Sequence, residues 1–194
     1  MRMESVYSPV QKDRATFLET AETSGGALTH LEIELAPGGG NSPHYHTAFT
    51  ERFEVLSGQL GVMVGGTERT LLPGESAMVE RRQVHRFFNP TSETTTFRVE
   101  LRPASAGFET ALRIVYKLGA DGGTTAKGMP KSIFHLAVLS TMAETYATGL
   151  AAVLTPVLSW IARSPAGRRA RVGLMERYGR PAEEAEPERV KRYG

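Results

Sequence analysis

Three histidines and one glutamate carry the densest chemistry in this chain. His44 and His46 lie two apart, Glu51 follows after four residues, and Gly58 after six more. Read as strand, His44 and His46 project from the same face, because side chains alternate with period two. Glu51 opens an alternating run through Leu56 that Ser57 and Gly58 close. His85 brings a third imidazole, after Gly74 and before Asn89. Imidazoles and a carboxylate on adjoining inward faces make a nitrogen–oxygen site for a divalent transition metal. His44, His46, Glu51 and His85 are therefore the expected ligands of one such ion. The donor set suits Fe, Mn, Ni, Co and Zn alike and does not select among them. Four protein ligands leave about two positions open on an octahedral ion, which favours chemistry or ligand binding over a structural role.

The elements that must hold these residues read as strands from residue 27 to 102. Leu31, Ile33 and Leu35 alternate with His30, Glu32 and Glu34; Phe97, Val99 and Leu101 alternate with Arg98, Glu100 and Arg102. One buried and one wet face is the signature of antiparallel sheet. Gly65-Gly66, Pro73-Gly74 and Asn89-Pro90 mark turns between them. Short strands with close turns predict a small double-sheet barrel.

Arranged in this way, the residues resemble the cupin family. Its first motif is met at Gly38, His44, His46, Glu51 and Gly58, and its second at Gly74, His85 and Asn89. The fifteen residues between Gly58 and Gly74 match the short spacing of single-domain, RmlC-like bacterial cupins. In the second motif Glu80 and Arg82 stand where the family has Pro and Gly. An Arg at that Gly position predicts a different loop path, read as an exposed loop in preference to an anion site. The resemblance spans residues 27–103 and implies an all-β jelly-roll barrel.

After Pro103 the period changes. Phe108, Ala111, Leu112, Val115 and Tyr116 fall at helical spacing, with Glu109, Arg113 and Lys117 placed opposite. Residues 132–162 then carry Glu144 as their single formal charge. The expected division is a cupin barrel over 1–106 and an appended C-terminal α-helical segment over 107–194. Pro156 should kink or divide the helix that holds it. The eighteen uncharged residues 145–162, followed by Arg163, Arg168, Arg169 and Arg171, reach the minimum for a membrane span. Thr145, Thr148, Gly149, Thr155, Pro156 and Ser159 weaken that reading. A helix covering the barrel or a subunit interface is preferred, and residues 181–188 read as a polar, mobile end.

The charge balance of 23 basic and 21 acidic residues offers no whole-chain polycation, and the basic tail has no recognisable nucleic-acid module around it. No cysteine means no disulfide, no thiolate metal site and no cysteine nucleophile. No signal peptide opens the chain, so cytoplasm is the expected compartment. Gly38, Gly58, Gly74 and Asn89 are read as turn residues, His30 as a surface residue and His135 as a core histidine. Phe49, Phe53, Phe87 and Met63 fit a pocket lining or a barrel core equally well.

These readings converge on a metal-dependent enzyme acting on a small molecule inside the barrel, of oxygenase, isomerase or lyase type. The alternative is a non-catalytic binding or sensing barrel whose tail serves oligomerisation or docking at a membrane surface. A homodimer is expected, because residues 132–162 carry more apolar surface than one small barrel covers.

Overall fold

The computed structural model describes residues 3–179, so the expected polar end at 181–188 lies outside the described residues. One sheet holds β1 (Ser5–Ser8), β2 (Asp13–Glu19), β3 (Thr29–Leu35), β5 (Thr50–Ser57), β8 (Ser76–Val79) and β10 (Thr95–Arg102), in the order β1-β2-β3-β10-β5-β8. The other holds β4 (His44–His46), β6 (Leu60–Val64), β7 (Thr67–Leu71), β9 (His85–Phe88) and β11 (Thr145–Ala147), in the order β11-β4-β9-β6-β7. The pairings are antiparallel throughout, and the two sheets form the expected jelly-roll barrel. Helices α1 (Ala106–Ala120), α2 (Ile133–Ala143), α3 (Thr155–Arg163) and α4 (Pro165–Tyr178) follow it.

Alternation decides which side chains enter the barrel. On β3 and β10 the inward residues Leu31, Ile33, Leu35, Phe97, Val99 and Leu101 are all buried, with Ile33 opposite Phe97 and Leu31 opposite Val99. Phe53, Phe87 and Phe97 meet edge to face at 5.1–6.2 Å, the arrangement that ring quadrupoles prefer. Of the residues left open above, Phe49, Phe53 and Phe87 fill the core and Met63 is half-buried; Phe87 also faces the cavity described below.

Helix α1 begins where the Ser105 hydroxyl accepts the Phe108 N–H at 3.1 Å, a cap for an otherwise orphaned donor. Phe108, Leu112, Val115 and Tyr116 pack on the barrel core. Ala111, Ile114 and Leu118 pack with Val138, Leu139 and Leu174 in a second cluster between helices. The polar face expected at Glu109 and Arg113 is not a solvent face, since both are buried. Each is paired: Glu109 accepts from Ala21 N–H (2.7 Å) and the Thr29 hydroxyl (2.6 Å), and Arg113 binds Glu4 at 2.9 Å. The Arg113 guanidinium also lies 4.0 Å from the Phe17 ring centroid. Charges go inside when partners wait there, and helical spacing cannot announce those partners.

Four further expectations change. The stretch beyond Pro103 is mainly helical, but Thr145–Ala147 forms a strand. His135 is half-buried rather than a core residue, and His30 is half-buried rather than a surface one. Its neighbours across the sheet, Glu100 and Glu19, lie in register with it. Pro156 sits in the first turn of α3, after a tighter helical turn at Gly149–Leu154. There its missing N–H costs no internal bond, so it starts a helix instead of kinking one. Among the described residues no helix is long and apolar enough to cross a membrane.

Candidate metal centre

Adjacent strands bring the four expected ligands together. β4 places His44 and His46 on one face, and His44 pairs directly with His85 of β9. Glu51, near the start of β5, reaches in from the opposing sheet. One ligand atom from each of the four lies within 4.8 Å of every other. His46, Glu51 and His85 are buried, and His44 is half-buried.

The imidazole tautomers follow from their outer partners. His44 Nδ1 lies 2.8 Å from the Ser42 carbonyl, and His85 Nδ1 lies 3.0 Å from the Gln83 carbonyl. A carbonyl only accepts, so both Nδ1 atoms carry hydrogen. His46 Nδ1 lies 3.1 Å from Thr145 Oγ1, whose own hydrogen points to the Ala143 carbonyl at 3.1 Å. That hydroxyl therefore accepts from His46 Nδ1 as well. All three rings then turn their Nε2 lone pairs to a common centre.

The centre is rich in electrons and poor in hydrogens. His44 Nε2 and His46 Nε2 are 3.2 Å apart, and His85 Nε2 is 2.7 Å from Glu51 Oε2. Glu51 Oε2 and His85 Nε2 are both buried and have no further hydrogen-bond partner. Buried acceptors facing one another need a cation between them. Burial and the two neighbouring imidazoles push the His44 ring down to about 3, so it stays neutral and ready to coordinate. Burial raises Glu51, but the imidazoles of His46 and His85 outweigh it and hold the carboxyl well below its ordinary range. For His85, burial lowers the ring and Glu51 raises it, with Glu51 prevailing.

The loop of the second motif keeps contact with this centre. Arg82 takes φ +64°, a left-handed backbone that glycine adopts without penalty. Its N–H donates to the His46 carbonyl at 2.6 Å. Arg82 thus holds the glycine-type conformation, and the substitution is absorbed as backbone strain. Asn89 acts as a turn residue: its amide donates to the Leu35 and Glu93 carbonyls, and its oxygen accepts from Thr91.

Sequence reasoning missed the residues that β11 contributes. It pairs with β4 so that Thr145 lies opposite His46, Tyr146 opposite Tyr45 and Ala147 opposite His44. Just before it, Glu144 accepts from the Thr47 hydroxyl at 2.6 Å. Phe108 of α1 meets the His46 ring edge-on at 5.8 Å. Three residues of strand inside an uncharged run leave too short a signal to read. A cavity of about 270 Å³ opens beside the cluster, walled by the barrel on one side and by α1, α2 and β11 on the other.

Residues 31–100 match the Cupin_2 family, described as a cupin domain. The match makes the barrel of residues 31–100 a cupin domain, and a helical C-terminal segment follows it. No curated protein matches the chain. Among solved structures it is similar to KdgF from Halomonas sp., at 16% identity over 53% of this chain and 88% of that one, TM-score 0.46. A predicted oxalate decarboxylase from Thermotoga maritima is 16% identical over 53% and 93%, TM-score 0.48. The polyketide cyclase RemF from Streptomyces resistomycificus is 24% identical over 52% and 72%, TM-score 0.45.

Proposed function

We propose that His44, His46, Glu51 and His85 bind one divalent transition metal, and that the protein is a metal-dependent enzyme acting on a small molecule in the adjoining cavity. The observation that carries this reading is the convergence of three imidazole Nε2 atoms and the Glu51 carboxylate, one ligand atom of each residue within 4.8 Å of every other. A bound ion would supply Lewis acidity and open coordination positions. The chain's own residues supply the rest: Ser42, Gln83 and Thr145 hold the rings, and Phe108 shields His46 from water. The assembly we propose is a cytoplasmic homodimer.

Elemental analysis of the purified protein, followed by turnover screening of the loaded form, tests this function. One ion per chain with turnover supports it. Absence of bound metal overturns it. One ion per chain with ligand binding and no turnover assigns the site to sensing or storage instead.

A further inference from the structure

The cavity beside the metal cluster is built from unlike parts. The barrel contributes Leu31, Ile33 and Val99, while α1 contributes Phe108, Leu112 and Val115. Helix α2 adds Leu136 and Leu139. The helical walls lie outside residues 31–100, the part shared with the family. Polar groups are concentrated at His44, His46 and Glu51, and several others are already engaged. Asn41 Oδ1 accepts from the Phe87 N–H at 2.9 Å, and the Tyr116 hydroxyl donates to Asp13 at 2.7 Å. Among the described residues Lys127 is the one lysine or arginine of the lining, and it is exposed on the loop between α1 and α2.

We infer that this cavity selects a ligand with a hydrocarbon body and a single oxygen-bearing head group, rather than a sugar phosphate or a polyhydroxylated molecule. The inference rests on the metal reading above. A divalent ion offset by the Glu51 carboxylate leaves one positive charge, enough for one anionic or neutral oxygen. A phosphate directed elsewhere in the cavity would face Leu and Val walls without a buried cation. Burying an unpaired charge there costs several kcal/mol, roughly two or more powers of ten in affinity. Sugar hydroxyls would find only scattered partners such as Gln11, Ser140 and Tyr146 among the same walls, whereas an apolar body gains from burial along both helices. The volume of about 270 Å³ suits a body of one or two fused rings or a short branched chain.

The test uses the full-length protein loaded with zinc, and naphthol, glucose and glucose 6-phosphate as probes in calorimetric titrations. Naphthol should bind at one per chain, with glucose and glucose 6-phosphate weaker by about tenfold or more. Leu136→Asp should weaken naphthol by about tenfold while bound zinc and melting temperature stay unchanged. Val115→Gln provides the same readout should Leu136→Asp fail to fold. Tighter binding of either sugar probe, or unchanged naphthol affinity in the folded variant, overturns the inference. Zinc measured in the same samples separates the two readings. Naphthol binding that persists in protein unable to hold zinc refutes the metal site and leaves the apolar selection standing.

Discussion

Thr145 Oγ1 lies 3.1 Å from His46 Nδ1, across 99 residues of chain. The hydroxyl spends its hydrogen on the Ala143 carbonyl, so it accepts from the ring and turns Nε2 toward the other ligands. Outer partners of this kind orient the ring and raise its basicity. Thr145→Val keeps the shape and removes the acceptor. It should weaken zinc by about tenfold to a hundredfold in a chelator competition, while Thr145→Ser keeps most of the affinity. Equal zinc affinity in Thr145→Val and the parent protein would show that the contact is incidental.

Replacing His44 and His46 together by Ala should abolish stoichiometric metal, read by elemental analysis after dialysis. Coordination needs neutral imidazoles, so affinity should fall as the pH drops toward about 5. Protonation should begin at His85, whose ring Glu51 holds above the ordinary value despite burial, and not at His44, pushed down to about 3. Metal occupancy that is flat from neutral pH to about 5 would contradict the imidazole ligand set.

The Asp13 carboxyl, 1% exposed, is pushed up to about 7 by burial, against the hydrogen bond from Tyr116. Between its ordinary value of 3.8 and about 7 the folded chain holds a proton that the unfolded chain has released. Stability therefore falls as pH rises through that window, and below it the penalty vanishes. Asp13→Asn removes the titrating group and leaves an oxygen for Tyr116. Its stability relative to the parent should improve by about 2–4 kcal/mol between pH 4 and pH 8 in urea titrations. Parallel pH profiles for the two proteins would refute this.

Arg82 stores strain at φ +64°. Arg82→Gly relieves a left-handed penalty of about 1 kcal/mol, partly offset by the greater freedom of the unfolded chain. The variant should be at least as stable as the parent, by up to about 1 kcal/mol, with unchanged metal affinity. A clear loss of stability would mean that the Arg82 side chain, and not its backbone, secures the loop.

Val153, Leu154, Val157 and Trp160 are 73%, 53%, 50% and 72% exposed along one stretch of the helical segment. The proposed second copy would cover apolar surface of this extent. Light scattering should give twice the chain mass, and Trp160→Asp should shift the population to monomer. A monomeric parent protein refutes the dimer.

Strand alternation and turn residues made the barrel legible before any coordinates, because both act over a few residues. His44, His46 and Glu51 were legible as candidate ligands for the same reason, two apart on one strand or close after it, and His85 through the second motif. The helical spacing of 108–116 likewise announced α1 and its barrel-facing residues. What only the tertiary structure decided depends on partners distant in sequence. Glu109 and Arg113 read as a wet face until Ala21, Thr29 and Glu4 surround them. Thr145, Tyr146 and Ala147 read as part of an uncharged run until β4 offers its open edge. Backbone donors and acceptors at a sheet edge seek any strand that satisfies them, and nothing in the composition of three residues records where that edge lies. The candidate ligands were thus legible in the sequence, while the outer hydrogen bond of His46 and the walls of the cavity were set by how the chain closes on itself.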